Sequence, residues 1–332
     1  MPTRTDVPRS KIVAAFLAIY LVWGSTYLAI RFAIETIPPF LMAGARFVVA
    51  GSVLFTFARV RGAPRPTVGQ WRSTAAVGVL LLLGGNGGVV WAEQVVPSGL
   101  AALLVATVPL WMVLLEWGAG GERPTGSVMA GVALGLLGVG LLVGPSSFAG
   151  AGRVDPLGAA VLIGASLSWA AGSLYSRRAS LPPVPLLGAG MHMVSGGAAL
   201  LVAGILTGEG SRLAFAAISM RSALALAYLI VFGAIVGFTA YVWLLRTTSP
   251  ARVATYAYVN PVIAVLLGWA LAAEPLGVRV MGAAALIVAA VALITGGGRR
   301  LADMGVAAIA RRSGARRAPA TPPLTEGRTH GT

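Results

Sequence analysis

Arg46 sits within an apolar run, residues 40–58, and no other formal charge in the chain lies as deep in such a run. A guanidinium removed from water must face a cavity or a partner. Its planar fork suits a carboxylate or phosphate. Two uses follow. Arg46 could anchor an anionic group such as a substrate carboxylate. It could equally form a structural ion pair with Glu35 or Glu93, both at the ends of neighbouring runs.

Other residues repeat the pattern of polar groups placed in apolar surroundings. Trp23, Thr26, Tyr27 and Arg31 recur at helical spacing and share a stripe. The stripe either lines a cavity or bonds across helices. Tyr256 and Asn260 form an i, i+4 pair just before Pro261, with Tyr258 on another side. Pro109 and Pro261 each remove a backbone hydrogen bond, so each is a hinge or a passive kink. Asn86 lies in Gly84-Gly85-Asn86-Gly87-Gly88. No Lys-Ser/Thr follows and no strand precedes, so this is not a phosphate loop. Close packing or local unwinding suits it better, with Asn86 facing a cavity or a neighbouring backbone. His192 is the one histidine inside a run and could titrate or act as a strut. Trp91, Trp169 and Tyr241 complete the candidate substrate cavity, adding apolar area with a polar handle.

Reactive chemistry has no counterpart here. The sequence has no Cys and two His, so neither a metal site nor a cofactor is expected. No run holds a deep Asp or Glu, only one holds a His, and HExxH is absent, so no catalytic residue is expected and an intramembrane enzyme is disfavoured. A channel would carry a legible filter motif. An ATP-driven pump would need a phosphate loop and a soluble domain.

The elements that must position these residues are ten apolar runs: residues 12–32, 40–58, 73–92, 98–116, 126–145, 156–176, 184–206, 222–245, 252–272 and 278–298. Each approaches the roughly 20 residues that cross a bilayer. Charged residues make up only 11% of the chain, against roughly 25% in soluble domains. The reading is an all-α integral membrane protein in contact with lipid. The net charge of +15 does not point to nucleic acid, because the basic residues lie between runs and in a tail, residues 299–332, rich in Arg, Ala, Pro and Thr. That composition predicts a disordered cytoplasmic segment. The first run is too long for a signal-peptide core. With the N-terminus inside, 19 basic residues fall on the cytoplasmic side and 4 outside. That bias predicts both termini in the cytoplasm.

The chain also repeats itself. At an offset of 152, Ala102, Pro109, Trp117 and Glu122 match Ala254, Pro261, Trp269 and Glu274, and Val90-Trp91 matches Val242-Trp243. At 146, Trp23 and Arg31 match Trp169 and Arg177. Each half then holds five spans, residues 12–145 and 156–298. An odd number puts the halves in opposite orientations, an inverted-topology repeat of the kind found in secondary transporters.

The motifs VWGSTYLAIRFAI (residues 22–34), PPFLMAGARFVVAG (38–51), VVPSGLAALLVATVPLWMVLLEW (95–117), SWAAGSLYSRR (168–178) and SPARVATYAYVNPVIAVLLG (249–268) resemble the EamA domains of the drug/metabolite transporter superfamily. Within it they are most similar to the YedA-like bacterial inner-membrane members. The resemblance covers residues 10–298 and implies ten helices around a central cavity. It also implies export of small metabolites, amino-acid-like ones among them, or of drugs. The oligomeric state stays open between monomer and homodimer.

Overall fold

The computed structural model describes residues 8–143, 155–248, 253 and 256–294, without the side chains of residues 142, 143, 245, 246 and 258. The expected tail, residues 299–332, lies outside the described residues. Regular structure among the described residues is helical. The main helices are α1 Arg9–Ala33, α2 Pro39–Val60, α3 Val68–Ala92, α4 Ser98–Gly118 and α5 Gly126–Val143. There follow α6 Pro156–Ser176, α7 Pro185–Leu206, α8 Met220–Leu244, α9 Tyr256–Ala272 and α10 Val278–Ile294.

Seven of these, α1 to α4 and α6 to α8, are long and apolar enough to cross a membrane, while the apolar stretches of α5, α9 and α10 are shorter. In hydrocarbon every backbone N–H and C=O must be paired within the chain, and helices achieve this. Local chemistry sets their starts. Pro39, Pro156 and Pro185 occupy the first helical turn, where a missing N–H costs nothing. Thr67 and Gln70 form a capping box that opens α3 five residues before the expected run at residue 73. Asp155 accepts from the Gly158 N–H at 2.7 Å to open α6.

Packing relies on glycine, because lipid supplies no hydrophobic drive between helices and close backbone approach must substitute. Helices α2 and α7 make the most extensive contact of the fold. A Cβ on Gly51 would lie 2.8 Å from the Gly190 carbonyl oxygen, and one on Gly190 would lie 2.9 Å from that of Gly51. Gly44 and Gly197 admit Leu201 and Val48 in the same seam. These glycines also match at the 146 offset: Gly44 with Gly190, Gly51 with Gly197. Glycines of α5 also form a packing surface. Gly131 and Gly138 face Ile294 and Ile287 of α10, and Gly135 faces Leu110 of α4.

The contacts pair up in a regular way. Helix α1 packs on α8 and α9, and α6 packs on α3 and α4. Helix α3 meets α7, and α8 meets α2. Each of these contacts has a partner under the exchange of α1 with α6, α2 with α7, α3 with α8 and α4 with α9. Both α3 and α8 contain a π-helical stretch, Val79–Gly87 and Leu229–Val236. The run Gly84 to Gly88 is therefore not unwound. It is wound one residue wider, a form that recurs at functional sites.

The two repeat-matched prolines behave differently. Residues 106 and 107 interrupt α4 just before Pro109, between segments Ser98–Val105 and Val108–Gly118. Thr107 holds that break, donating to the Leu104 carbonyl at 2.5 Å and accepting from the Trp111 indole at 3.0 Å. Pro261 lies inside the continuous α9.

Candidate functional site

Arg46 is 5% exposed on α2 and reaches α8 at its π-helical stretch. A Cβ on Gly233 would lie 3.1 Å from Arg46 Nη2 and 3.2 Å from Thr26 Cγ2. Only a glycine leaves space there for both side chains. The guanidinium also rests 4.7 Å from the Phe47 ring centroid. Its Nε and Nη1 are buried and have no hydrogen-bond partner. The structural ion pair considered with Glu35 does not form, because Glu35 binds Arg221 at 3.3 Å. Nor does Arg46 contact the Glu93 carboxylate, whose two oxygens are themselves unpartnered.

Trp23 joins this cluster from α1. Its indole donates to the Gly233 carbonyl at 3.1 Å. Its ring lies 5.1 Å from Tyr256 and 5.3 Å from Tyr241, and those two are 6.0 Å apart. Phe238 extends the chain of rings, 5.9 Å from Tyr241 and 5.5 Å from His192. The structure therefore brings together Trp23, Thr26, Arg46, His192, Tyr241 and Tyr256, drawn from α1, α2, α7, α8 and α9.

Other expected members stand apart. Trp169 of α6 packs on Gly85 in the π stretch of α3, as Trp23 does on that of α8. The neighbouring Ser168 donates to the Leu80 carbonyl at 2.7 Å. The Asn260 amide group faces the carbonyl oxygens of Tyr20 and Tyr256, which its NH2 reaches at 3.2 and 3.3 Å. Within the cluster, the Thr26 hydroxyl donates to the Trp23 carbonyl at 2.6 Å. Tyr27 and Trp91 pack against the main apolar core. Asn86 is half-buried, with its Oδ1 buried and unpartnered. The side chain of Tyr258 is outside the described residues.

Sequence reasoning named Glu93 only as a candidate ion-pair partner of Arg46, not as a site residue. It lies just past α3 and is 0% exposed. A carboxylate at the end of an apolar run reads as solvated. Here the bundle end closes over it. Arg31 reaches back to donate to the Glu93 carbonyl at 3.2 Å. Glu274, between α9 and α10, accepts from Ser98 N and Oγ, each at 2.7 Å, and from Gly99 N at 2.9 Å. Glu209, 1% exposed, accepts from Phe40 N and Leu41 N at 3.2 and 2.9 Å. Two carboxylates from the second half therefore cap the N-termini of α2 and α4, where the helix dipole favours negative charge. A small cleft beside Glu274, lined by Pro97, Leu100, Val265, Pro275 and Val280, belongs to this closure and lies apart from the Arg46 cluster.

Chemically, the cluster can bind and orient. A buried guanidinium with open donors suits a carboxylate, and the rings beside it offer apolar surface. Among the described residues no group of three His, Cys, Asp or Glu is placed to hold a metal ion.

The EamA-like transporter family matches the chain twice, over residues 10–144 and 156–296. The Escherichia coli (strain K12) protein named "Uncharacterized inner membrane transporter YedA" is 41% identical over 285 residues, covering 86% of this chain and 90% of its own length. Another protein of that strain, "Probable amino-acid metabolite efflux pump", is 28% identical over 287 residues, covering 80% of this chain and 89% of its own. One solved crystal structure superposes with a TM-score of 0.58 over 88% of this chain and 99% of its own, at 22% identity, a likeness of fold alone. These names are those of transporters, not of enzymes. With two matches that together span most of its length, the chain belongs to the EamA-like transporter family and is a multi-pass membrane transporter.

Proposed function

We propose that the protein is a secondary transporter of the bacterial inner membrane that exports small amino-acid-like metabolites or drugs by alternating access. In this reading ten helices span the bilayer as two inverted repeats, residues 12–145 and 156–298, with both termini in the cytoplasm. The end of the bundle that holds Glu93 then faces outward. Support for the repeats comes from the paired helix contacts, the matched glycines of α2 and α7, and the two π-helical stretches that each receive a tryptophan. Support for the membrane and the substrate class comes from the relatives named as an inner membrane transporter and an amino-acid metabolite efflux pump.

The observation that carries the reading is the Arg46 guanidinium, buried with Nε and Nη1 unpartnered beside the aromatic cluster. A buried charge without a partner costs several kcal/mol. A substrate carboxylate would supply the missing acceptors as a bidentate pair.

The test is counterflow in liposomes against a panel of labelled amino acids, since only a carrier shows accelerated exchange. Arg46→Lys is expected to weaken exchange by about tenfold, because a point charge cannot reproduce the fork. Arg46→Gln is expected to abolish it, and the exposed Arg212→Gln to leave it unchanged. Thermal stability is measured in parallel. Intact per-molecule exchange in a destabilised Arg46→Gln protein would return Arg46 to a structural role.

A further inference from the structure

Glu93 is the carboxylate that the transport reading leaves unused. It is fully buried, and neither oxygen has a hydrogen-bond partner. The charged and titratable groups around it come from each neighbouring element: Arg31 and Tyr27 of α1, Arg46 of α2, and Glu274 of the α9–α10 connection. None neutralises it by contact. The Arg31 guanidinium bonds the Glu93 backbone carbonyl, not the carboxylate. The Arg46 guanidinium lies against Phe47 and Gly233. Glu274 is of like charge and is committed to capping α4.

An ionised carboxylate in this setting loses its water and receives no donor in return. Desolvation of that kind costs several kcal/mol per ion even after relaxation. Attraction from two arginines beyond contact distance offsets part of it, and repulsion from Glu274 works the other way. The protein can meet this cost by binding one proton.

We propose that Glu93 is a proton-binding site whose occupancy is coupled to closure of this end of the bundle. The step is a single protonation: a proton from water at the open end adds to the carboxylate, giving the neutral carboxylic acid as the end closes over it. Opening rehydrates the group and returns the proton to that water. This gives the carrier a coupling ion at the end of the bundle that closes. The proposal rests on the alternating-access reading only in requiring that the Glu93 end can open. The protonation state of the closed form is measurable without any substrate.

The sign follows from linkage. The closed state holds the proton more tightly than the open state, so closure is favoured at low pH and lost as pH rises. The open-to-closed ratio should rise by up to about tenfold per pH unit, the slope of one proton.

The experiment uses the full chain in lipid nanodiscs, with the proton as the probe. Infrared spectroscopy at neutral pH should show a carboxylic-acid C=O band in the wild type that is lost in Glu93→Gln. A spin-label pair on cysteines replacing the exposed Gln94 and Gly277 should report opening from neutral to alkaline pH. The chain has no native cysteine to interfere. In Glu93→Gln the pair should remain at the closed distance throughout, and Glu93→Asp should restore the pH response. A carboxylic-acid band that survives Glu93→Gln would overturn the proposal. So would a Glu93→Gln protein that opens with pH as the wild type does. Counterflow in the same samples separates either failure from failure of the transport reading.

Discussion

Glu274→Ala tests the closure on which both readings draw. Glu274 receives three donors at the start of α4: Ser98 N and Oγ at 2.7 Å and Gly99 N at 2.9 Å. Hydrogen bonds to a charged group contribute about 1.5–3 kcal/mol each, but three on one carboxylate do not add. Ser98 is 0% exposed, so removing the carboxylate strands its N–H without water. The expected cost of Glu274→Ala is about 3 kcal/mol, the sum of a lost cap and a buried orphan donor. Glu274→Gln keeps one acceptor oxygen but turns an NH2 toward a donor, and should cost about half as much. Ser98→Ala removes only the hydroxyl donor and should cost about 1 kcal/mol. Thermal melts in nanodiscs should rank the variants in that order, with Glu274→Ala lowering Tm on the order of 6 °C. Equal melting of wild type and Glu274→Ala would refute the cap. A Glu274→Gln protein that melts as the wild type does, while Glu274→Ala does not, would place the effect in packing against Val265 and Val280, not in the charged hydrogen bonds.

Other perturbations read different parts of the structure. Ala273 carries a φ of 52°, the one positive value among the described non-glycine residues. Ala273→Gly should relieve about 1 kcal/mol of left-handed strain and raise Tm. Gly78→Ala would place a Cβ 2.5 Å from the His192 carbonyl oxygen and 2.9 Å from Gly196 N, both backbone atoms, and should cost about 1–3 kcal/mol. Gly140→Ala on α5 meets nothing within 4 Å and should gain about 0.5–1 kcal/mol in helix propensity, measured in the same melts. Cysteines replacing Arg61 and Gly210 should be protected from and labelled by an impermeant thiol reagent on intact cells, respectively. The reverse pattern would invert the orientation derived from the arginine count.

The helices were legible because hydrophobic length is a strong signal, and their ends were less so. Residues 68–72 are helical through the Thr67–Gln70 capping box, which adds polar helix outside the apolar run. The internal matches in Trp, Pro and Glu stood out in the sequence, while Gly44/Gly190 and Gly51/Gly197 did not, because one glycine among 44 carries little information until backbones meet. The π-helical stretches depend on i to i+5 bonding, which leaves no mark on composition. Asn260 lies where its amide group faces the backbone carbonyls of Tyr20 and Tyr256, neighbours that its type and spacing did not point to. The burial of Glu93 was hidden for another reason. It depends on residues far away in sequence, since the closure over it is built by Arg31 and by the Glu274 caps on α4.

The same alignment places the chemistry where the two halves differ. At the 146 offset that pairs the glycines of α2 and α7, Arg46 corresponds to His192. At 152, Asn86 corresponds to Phe238. His192 and Phe238 meet ring to ring at 5.5 Å, a contact that needs no ligand. Arg46 and Asn86 instead keep buried polar atoms without partners. The scaffold contacts recur in both halves, with Trp23 on Gly237 matched by Trp169 on Gly85, while the unsatisfied groups Arg46, Asn86 and Glu93 belong to the first half and the second has the Thr248 hydroxyl. Repetition accounts for the helix packing, since the same glycine seams serve both halves. It does not account for a guanidinium, an amide and a carboxyl left open on α2, on α3 and just past its end. Packing alone gives no reason to maintain three such groups, because each costs stability until something binds it.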